Sequence, residues 1–226
     1  MSFNPAIIID NLPQILDGLR LTILLWLTGT IAGMVLGFLL AVVQTTRSRL
    51  VRFLVAAYQS IFRGTPFLIQ IFLLYYGGPL FGLMLSAETA GILGLTLYSA
   101  AYFTEIFRAG FGAISLGQAE AGHICGLSNF QILRHIQLPQ MMVTITPALV
   151  GTFIIMSKET AILSIMTVPE ITAVLSGIGS ATFTYVEPLL TLVLCYWALV
   201  GATSWIGMHV EHHMQRHLRP ENGKTV

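Results

Sequence analysis

Residues 120–139 read Glu-Ala-Gly-His-Ile-Cys-Gly-Leu-Ser-Asn-Phe-Gln-Ile-Leu-Arg-His-Ile-Gln-Leu-Pro, and this stretch decides the fold. It is a polar, helix-compatible segment between long apolar runs. Gly126 can take the positive φ that ends one short helix. Ser128 with Gln131 matches a capping box, which opens a second short helix. The sequence therefore predicts two short helices joined by an elbow that lies against the face of a membrane.

The second short helix carries its own apolar pattern. Phe130, Leu133 and Ile136 recur at helical spacing and are predicted to form an apolar stripe. Pro139 has no backbone donor and would clash with the preceding turn, so we expect it to limit the extension of this helix.

The composition indicates a membrane protein. Hydrophobic residues make up 55% of the 226-residue chain, charged residues 9%, and the mean hydropathy is +0.79. Soluble domains carry about 25% charged residues. Cys125 and Cys195 lack metal-binding or disulfide-framework spacing, so both are predicted to be free thiols. The N-terminus has no basic region and has Asp10 before its first long apolar run, so no cleaved signal peptide is predicted.

Five apolar runs are long enough for the ~20 residues that a membrane helix needs. Gly29, Gly33 and Gly37 share one face of the first run and predict close helix packing. Pro66 is expected to break the second run. The predicted spans are residues 21–43, 50–85 with a break at 63–66, 89–109, 141–168 and 188–207.

The cations predict the orientation of these spans. Arg47, Arg49 and Arg52 follow the first span, Arg134 lies in the elbow segment, and Arg216, Arg219 and Lys224 follow the last span. Because Lys and Arg favour the cytoplasmic side, the N-terminus is predicted outside and the C-terminus inside. The expected organisation is a periplasmic or interfacial segment 1–20, a transmembrane domain 21–208 with a cytoplasmic loop 118–139, and a basic tail 209–226. Thr167, Pro169 and Glu170 also predict a short helix that dips back toward the membrane.

Polar groups at membrane depth are candidates for function because they are costly there. At about 1.5 Å per residue, Lys158 lies roughly 25 Å along the fourth span, with Glu159 and Thr160 beside it. A Lys–Glu pair can complement the carboxylate and ammonium of a zwitterion. The alternative is that both charges pair with other helices or reach the outer interface.

A second polar group combines Arg63 with Glu105 or Arg108 on the third span, where Glu105 and Arg108 can themselves pair at i, i+3. One interpretation is an ion pair that clamps the second and third helices, and the other is direct substrate contact. Thr65 and Gln70 are further candidates for a polar path.

Residues 120–139 resemble the EAA loop of permease subunits of ABC importers, in which this loop is the coupling helix that docks in a cleft of the ATPase subunit. Gly122 departs from the family pattern, which usually has a second Ala there. Glu120 is expected to fix the loop, either as a first-turn helix anion or through a cation on the partner. The resemblance assigns ATPase coupling to Glu120, Ala121, Gly122, Gly126, Leu127, Ile136, Leu138 and Pro139.

Other segments resemble the polar amino acid permeases, of the histidine, glutamine and opine type. Residues 62–70 are similar to the FRGTP segment, residues 101–110 to the third-helix signature, and residues 157–160 stand where the family has Lys-Asp-Thr. The resemblance covers about residues 19–207. It implies an all-α, type I (MetI-like) importer fold and a permease dimer, identical or homologous. It also implies a cytoplasmic ABC ATPase dimer and a periplasmic amino-acid-binding protein.

The predicted function is an inner-membrane permease subunit that forms the path for polar amino acids or derivatives such as opines. The chain has no GxxxxGK[ST] loop, so ATP and Mg are expected on the partner ATPase and no catalytic residue is predicted. An ion-coupled carrier or channel is the alternative. An intramembrane enzyme is not predicted, because the sequence has no suitably spaced cluster of catalytic residue types. No nucleic-acid partner is expected. Four histidines recur at helical spacing after the last span: His209, His212, His213 and His217. Because this tail is solvated, basic and close to anionic headgroups, no metal site is predicted there.

Overall fold

The computed structural model describes residues 4–45 and 48–216, which form helices and no β-strand. Short 3-10 helices occupy Gly78–Phe81 and Thr160–Met166, and a π-helical segment occupies Leu133–Gln137. The α-helices are α1 (Ala6–Asp10), α2 (Leu12–Gln44), α3 (Arg49–Gly64), α4 (Phe67–Gly77), α5 (Ala87–Gly112), α6 (Leu116–Ile124), α7 (Asn129–Ile132), α8 (Leu138–Glu159), α9 (Ile171–Thr182) and α10 (Val186–Arg216).

Four helical stretches of the described chain are long and apolar enough to cross a membrane: Leu12–Gln44, Ala87–Gly112, Asn129–Met166 and Val186–Met214. They correspond to the first, third, fourth and fifth predicted spans. The second predicted span consists of two shorter helices, α3 and α4. The all-helical class is confirmed, whereas five crossings and their orientation stay predictions.

The break between α3 and α4 lies at Thr65 and Pro66, where the sequence predicts it. Pro66 offers no backbone donor, so carbonyls at the end of α3 lose helical partners. The Gln70 side chain replaces them: its Nε2 donates to the carbonyl oxygens of Phe62 at 2.8 Å and Thr65 at 3.0 Å. It also donates to Thr65 Oγ1 at 2.8 Å. The side-chain amide of Gln70 therefore supplies hydrogen bonds that the backbone lacks at the helix break.

Two predicted boundaries are not helix boundaries in the structure. α2 begins at Leu12 and runs without interruption past residue 20, because Pro13 occupies its first turn, where no N–H is needed. α10 runs past residue 208 to Arg216, through a stretch without Gly or Pro. Residues 12–20 and 209–216 therefore continue the helices of the adjacent spans. Arg47, His217, Arg219 and Lys224 lie outside the described residues.

The predicted close packing at the glycines of α2 is confirmed against α5. A Cβ on Gly33 would lie 1.9 Å from Ser99 Oγ and 2.8 Å from the carbonyl oxygen of Thr96. A Cβ on Gly37 would lie 2.7 Å from Phe103 Cβ. The two backbones approach so closely that only glycine fits.

The predicted short helix after Pro169 is also present, as α9. The buried Glu170 side chain caps it by accepting from the N–H of Ala173 at 2.8 Å. Thr22 Oγ1 accepts from the N–H of Ile171 at 3.0 Å, and Tyr196 donates to Glu170 at 3.4 Å. α9 is thus fastened to both α2 and α10.

We expect Gly33→Ala to lower stability by about 1–3 kcal/mol, the usual cost of overpacking, because the Thr96 carbonyl cannot rotate away. Gly201→Ala is the matched control, since no atom lies within 4 Å of its Cβ position. Thermal unfolding of both variants in detergent measures the difference. Equal unfolding temperatures would contradict the tight α2–α5 contact.

Candidate functional site

The elbow is defined as α6, residues 125–128 and α7. A Schellman motif ends α6 and forms the turn of the elbow. Gly126 has a φ of +77°, in the left-handed region that favours glycine. Its N–H donates to the carbonyl of His123 at 2.9 Å, and the N–H of Leu127 donates to that of Gly122 at 3.0 Å. These two bonds close the end of α6 and turn the chain. The predicted helix end at Gly126 is confirmed.

The predicted capping box opens α7. Ser128 Oγ accepts from the N–H of Gln131 at 3.3 Å, and Gln131 Oε1 accepts from the N–H of Ser128 at 2.8 Å. Both orphan donors at the start of the helix are satisfied by this exchange. The entry angle of the chain into α7 is therefore set by local sequence.

The prediction that Pro139 limits this helix is wrong. The chain continues from α7 through the π-helical segment Leu133–Gln137 into α8. The N–H of Leu138 donates to the carbonyl of Leu133, five residues earlier. Pro139 then stands in the first turn of α8, and the wider π turn relieves the clash that an α-helical turn would impose. One continuous helical path therefore joins the elbow to Glu159.

The apolar contact inside the elbow differs from the predicted stripe. Ile132 is 3% exposed, whereas Phe130 is 65% exposed. A Cβ on Gly122 would lie 2.9 Å from Ile132 Cγ1 and 3.2 Å from Ile136 Cδ1. Ile132 and Ile136, one helical turn apart, therefore pack on the backbone of α6. The close approach expected at Gly122 is made within the chain, and Phe130 points away from it.

The base of the elbow is hydrogen-bonded to α8, whereas the side chains at its tip are exposed. Gln140 Nε2 donates to Gln118 Oε1 at 2.7 Å, which joins the start of α6 to α8. At the tip, Ile124 is 87% exposed, and Cys125 is exposed as well. The sequence analysis missed Ile124; its place as the last helical residue before a turn was the available signal.

The residues assigned to ATPase coupling all lie on the elbow or where it joins α8. Glu120 is not in the first turn of α6, because that turn contains no acidic residue, so the first-turn role proposed for it is wrong. A pairing of Glu120 with a cation on a partner stays a prediction. Glu120, Ala121, Gly126 and Pro139 are exposed, Leu127, Ile136 and Leu138 are half-buried, and Gly122 is buried.

A polar network connects α2, α3 and α5. Arg108 donates to both carboxylate oxygens of Glu105, at 3.0 Å from its Nε and at short range from its Nη2. Arg63 Nη1 lies 3.7 Å from Glu105 Oε2, and its guanidinium lies 5.6 Å from the ring centre of Tyr102. Gln59 Nε2 donates to Glu105 at 3.3 Å. The predicted clamp between the second and third predicted spans is present.

The other substrate-path candidates lie apart from this network. Thr65 and Gln70 meet at the α3–α4 break. Lys158 is exposed beside a cavity of 420 Å³ that Tyr196 of α10 also lines. Glu159 is half-buried, while Thr160 is buried and donates to the Ser157 carbonyl at 2.8 Å. Among the described residues, no ion pair joins Lys158 to Glu159, so the two do not form one paired site.

The histidines of α10 do not assemble with other ligands within the described chain. Among its His, Cys, Asp and Glu residues, no group of three lies close enough to hold a metal ion. His209 instead contacts Trp205, with ring centres 4.2 Å apart and its Nδ1 2.8 Å from the Trp205 carbonyl oxygen.

Comparison with known proteins decides the family. The model of the "Binding-protein-dependent transport system inner membrane component" family matches residues 33–216. The chain belongs to this family. It is therefore an inner-membrane permease subunit of an ABC importer, and the family implies ATPase and binding-protein partners in general.

Individual relatives of this permease agree. The arginine transport system permease protein ArtQ of Bacillus subtilis (strain 168) is 34% identical over 216 residues, which are 95% of this chain and 99% of ArtQ. The putative glutamine transport system permease protein GlnP of Rickettsia conorii is 34% identical over 201 residues, with coverage of 88% and 92%. A solved amino acid ABC transporter with histidines has a TM-score of 0.85 at 30% identity, over 94% of this chain and 100% of the other.

We expect Gly122→Ala to cost about 1 kcal/mol of unfolding free energy, because overpacking against Ile132 exceeds the gain in helix propensity. Ile132→Val removes a methyl group that lies near the new Cβ. The double variant should therefore be more stable than the sum of the single effects allows. Chemical denaturation in detergent of the four proteins of this cycle measures the coupling, and strict additivity would contradict the packing described here.

Proposed function

We propose that this permease forms the translocation path for polar amino acids, or derivatives such as opines, and is driven by ATP hydrolysis in a partner ATPase. The observation that carries the proposal is the continuous helical path from the elbow to Glu159. A force on the exposed tip of the elbow acts on a membrane helix without an intervening loop.

The energetics favour such a mechanical link. Moving a two-state equilibrium from 1:99 to 99:1 requires about 5.5 kcal/mol of differential binding. Packed helices move as rigid bodies, so a short helix seated in a partner cleft can transmit that bias. Exposed Ile124 and Phe130 supply an apolar contact surface for such a cleft.

The partners follow from this division of labour. We propose a cytoplasmic ABC ATPase dimer that holds ATP and Mg, a second permease chain, identical or homologous, and a periplasmic amino-acid-binding protein. The names of ArtQ and GlnP, an arginine and a glutamine system, support polar amino acids as the substrate class. The same reasoning places the elbow and the C-terminus on the cytoplasmic side.

For the substrate path we propose Glu159, with Thr160 supporting the adjacent turn. Glu159 is a half-buried carboxylate at the end of α8, a suitable partner for a substrate ammonium group. Lys158 faces α10 instead, which favours its alternative role at a helix contact. Arg63 and Glu105 act as the clamp, and Thr65 and Gln70 hold the helix break.

Gly126→Val tests the coupling proposal. No atom lies within 4 Å of the Gly126 Cβ position, so the variant is strained only by its φ, by about 1–2 kcal/mol. We expect about tenfold weaker copurification of the ATPase with tagged permease, at unchanged permease yield. Gly112→Val, with an equally open Cβ position and no positive φ, is the control.

The alternative function, an ion-coupled carrier, predicts that uptake does not require nucleotide hydrolysis. Uptake in proteoliposomes that persists when nucleotide hydrolysis is abolished in the ATPase would identify an ion-coupled carrier. Unchanged ATPase capture by Gly126→Val would remove the elbow from the coupling mechanism.

Glu159→Gln tests the substrate path. Losing a charge-assisted contact of about 1.5–3 kcal/mol should raise the KM of uptake by about tenfold or more. Lys158→Gln should leave KM unchanged, because Lys158 faces another helix. Uptake kinetics with saturating binding protein measure both variants, and equal effects would refute the assignment of Glu159.

A further inference from the structure

A large polar cavity lies between the end of α2, the length of α3 and the last turns of α5. Its volume is 850 Å³, within the range of about 300–1,000 Å³ typical of ligand sites. Neither the coupling elbow nor the proposed substrate residue Glu159 lines it. The lining residues that are charged or carry an amide are Gln44, Arg52, Gln59, Arg63, Glu105 and Arg108.

The charges around this cavity do not balance. Arg52, Arg63 and Arg108 face it, and Glu105 is the one acidic residue among its described lining. Arg63 and Arg108 both pair with Glu105, whereas Arg52 does not. The Arg63 and Arg108 side chains remain 41% and 55% exposed. The cavity therefore presents an excess of guanidinium donors to whatever enters it.

The carboxylate of Glu105 is fully engaged by its present partners. Gln44 Nε2 donates to Gln59 Oε1 at 3.0 Å, and Gln59 Nε2 donates to Glu105. This chain of amides and the two Arg108 hydrogen bonds fix the carboxylate against one wall. Glu105 therefore positions Arg108 and cannot also neutralise Arg52, which lies about 16 Å from Arg63 along α3 at 1.5 Å per residue.

The face of α3 opposite the cavity carries exposed apolar side chains. Leu50, Phe53 and Leu54 are 66%, 68% and 57% exposed, and they occupy the same first turns of the helix as Arg52. In the predicted orientation these turns lie at the inner surface of the membrane. A lipid whose headgroup reaches the arginines would thus have its acyl chains against the other face of the same helical turns.

From this geometry we propose that the cavity binds a phosphate-type oxyanion, supplied by the headgroup of an anionic phospholipid of the inner leaflet. Guanidinium forks match phosphate oxygens in pairs, and basic pockets between helices on the cytoplasmic side suit anionic headgroups. Arg52 supplies the guanidinium donors, Arg63 and Arg108 contribute charge, and Glu105, held by Gln59 and Gln44, positions Arg63 and Arg108.

The test titrates the full chain, purified in neutral detergent, with short-chain phosphatidylglycerol or phosphatidylcholine and counts bound lipid by native mass spectrometry. Phosphatidylglycerol should bind in preference. Arg52→Gln should weaken its binding about fivefold, the effect expected for one cation near an anionic headgroup. Arg52→Lys should retain most of the binding. Arg49→Gln is the matched control, because Arg49 is exposed on the same helix but does not line the cavity.

Competition identifies the source of the oxyanion. Inorganic phosphate that displaces phosphatidylglycerol would show that a soluble oxyanion takes the same site, and failure to displace it would identify the lipid headgroup. Equal binding of the two lipids, or equal weakening by Arg49→Gln, would overturn the site. Displacement by a transported amino acid would assign the cavity to the substrate path instead. Because lipid binding is measured without ATPase or transport, its outcome is independent of the coupling test.

Discussion

The structure depends on a continuous helical path from α7 to α8 through a proline. A proline at this position ends an ordinary α-helix, and a loop here would let the elbow move without moving the membrane helix. The π-helical turn of Leu133–Gln137 accommodates Pro139 and keeps the helical path continuous. Since the bilayer interior offers no water to satisfy a broken backbone, this continuity also suits a helix that must enter the membrane at once. The proposed coupling thus depends on backbone geometry more than on any single side chain.

The α2–α5 contact supplies the fixed body against which such a helix can move. Gly33 and Gly37 bring the two backbones together, and the buried interface leaves no room for sliding. α9 adds to this body through the Thr22 contact to Ile171. By contrast, α10 has many exposed apolar side chains, and α3 exposes one apolar face. The molecule therefore combines a tightly packed centre with a periphery that lipid or a second permease chain must cover.

The features predictable from sequence are those whose cause is local. Gly126, the capping box of Ser128 and Gln131, the break at Pro66 and the Glu170 cap each depend on residues within a few positions, and each is present. The errors have non-local causes. Pro139 is tolerated because of a π turn that no spacing rule signals, and Ile132 rather than Phe130 is buried because Gly122 lies opposite it. The amide of Gln70 is likewise understood only once α3 and α4 are seen to meet.

The cavity and the elbow are neighbours along the chain. Arg108 lies in the last turns of α5, the helix that precedes α6, and Gln118 joins α6 to α8 through Gln140. The three arginines that face the cavity carry like charges, which repel one another, and an anion placed among them reduces that repulsion. The proposed lipid anion would therefore stabilise the positions that Arg52 and Arg63 on α3 and Arg108 on α5 take around the cavity, at the end of the helix that leads into the elbow.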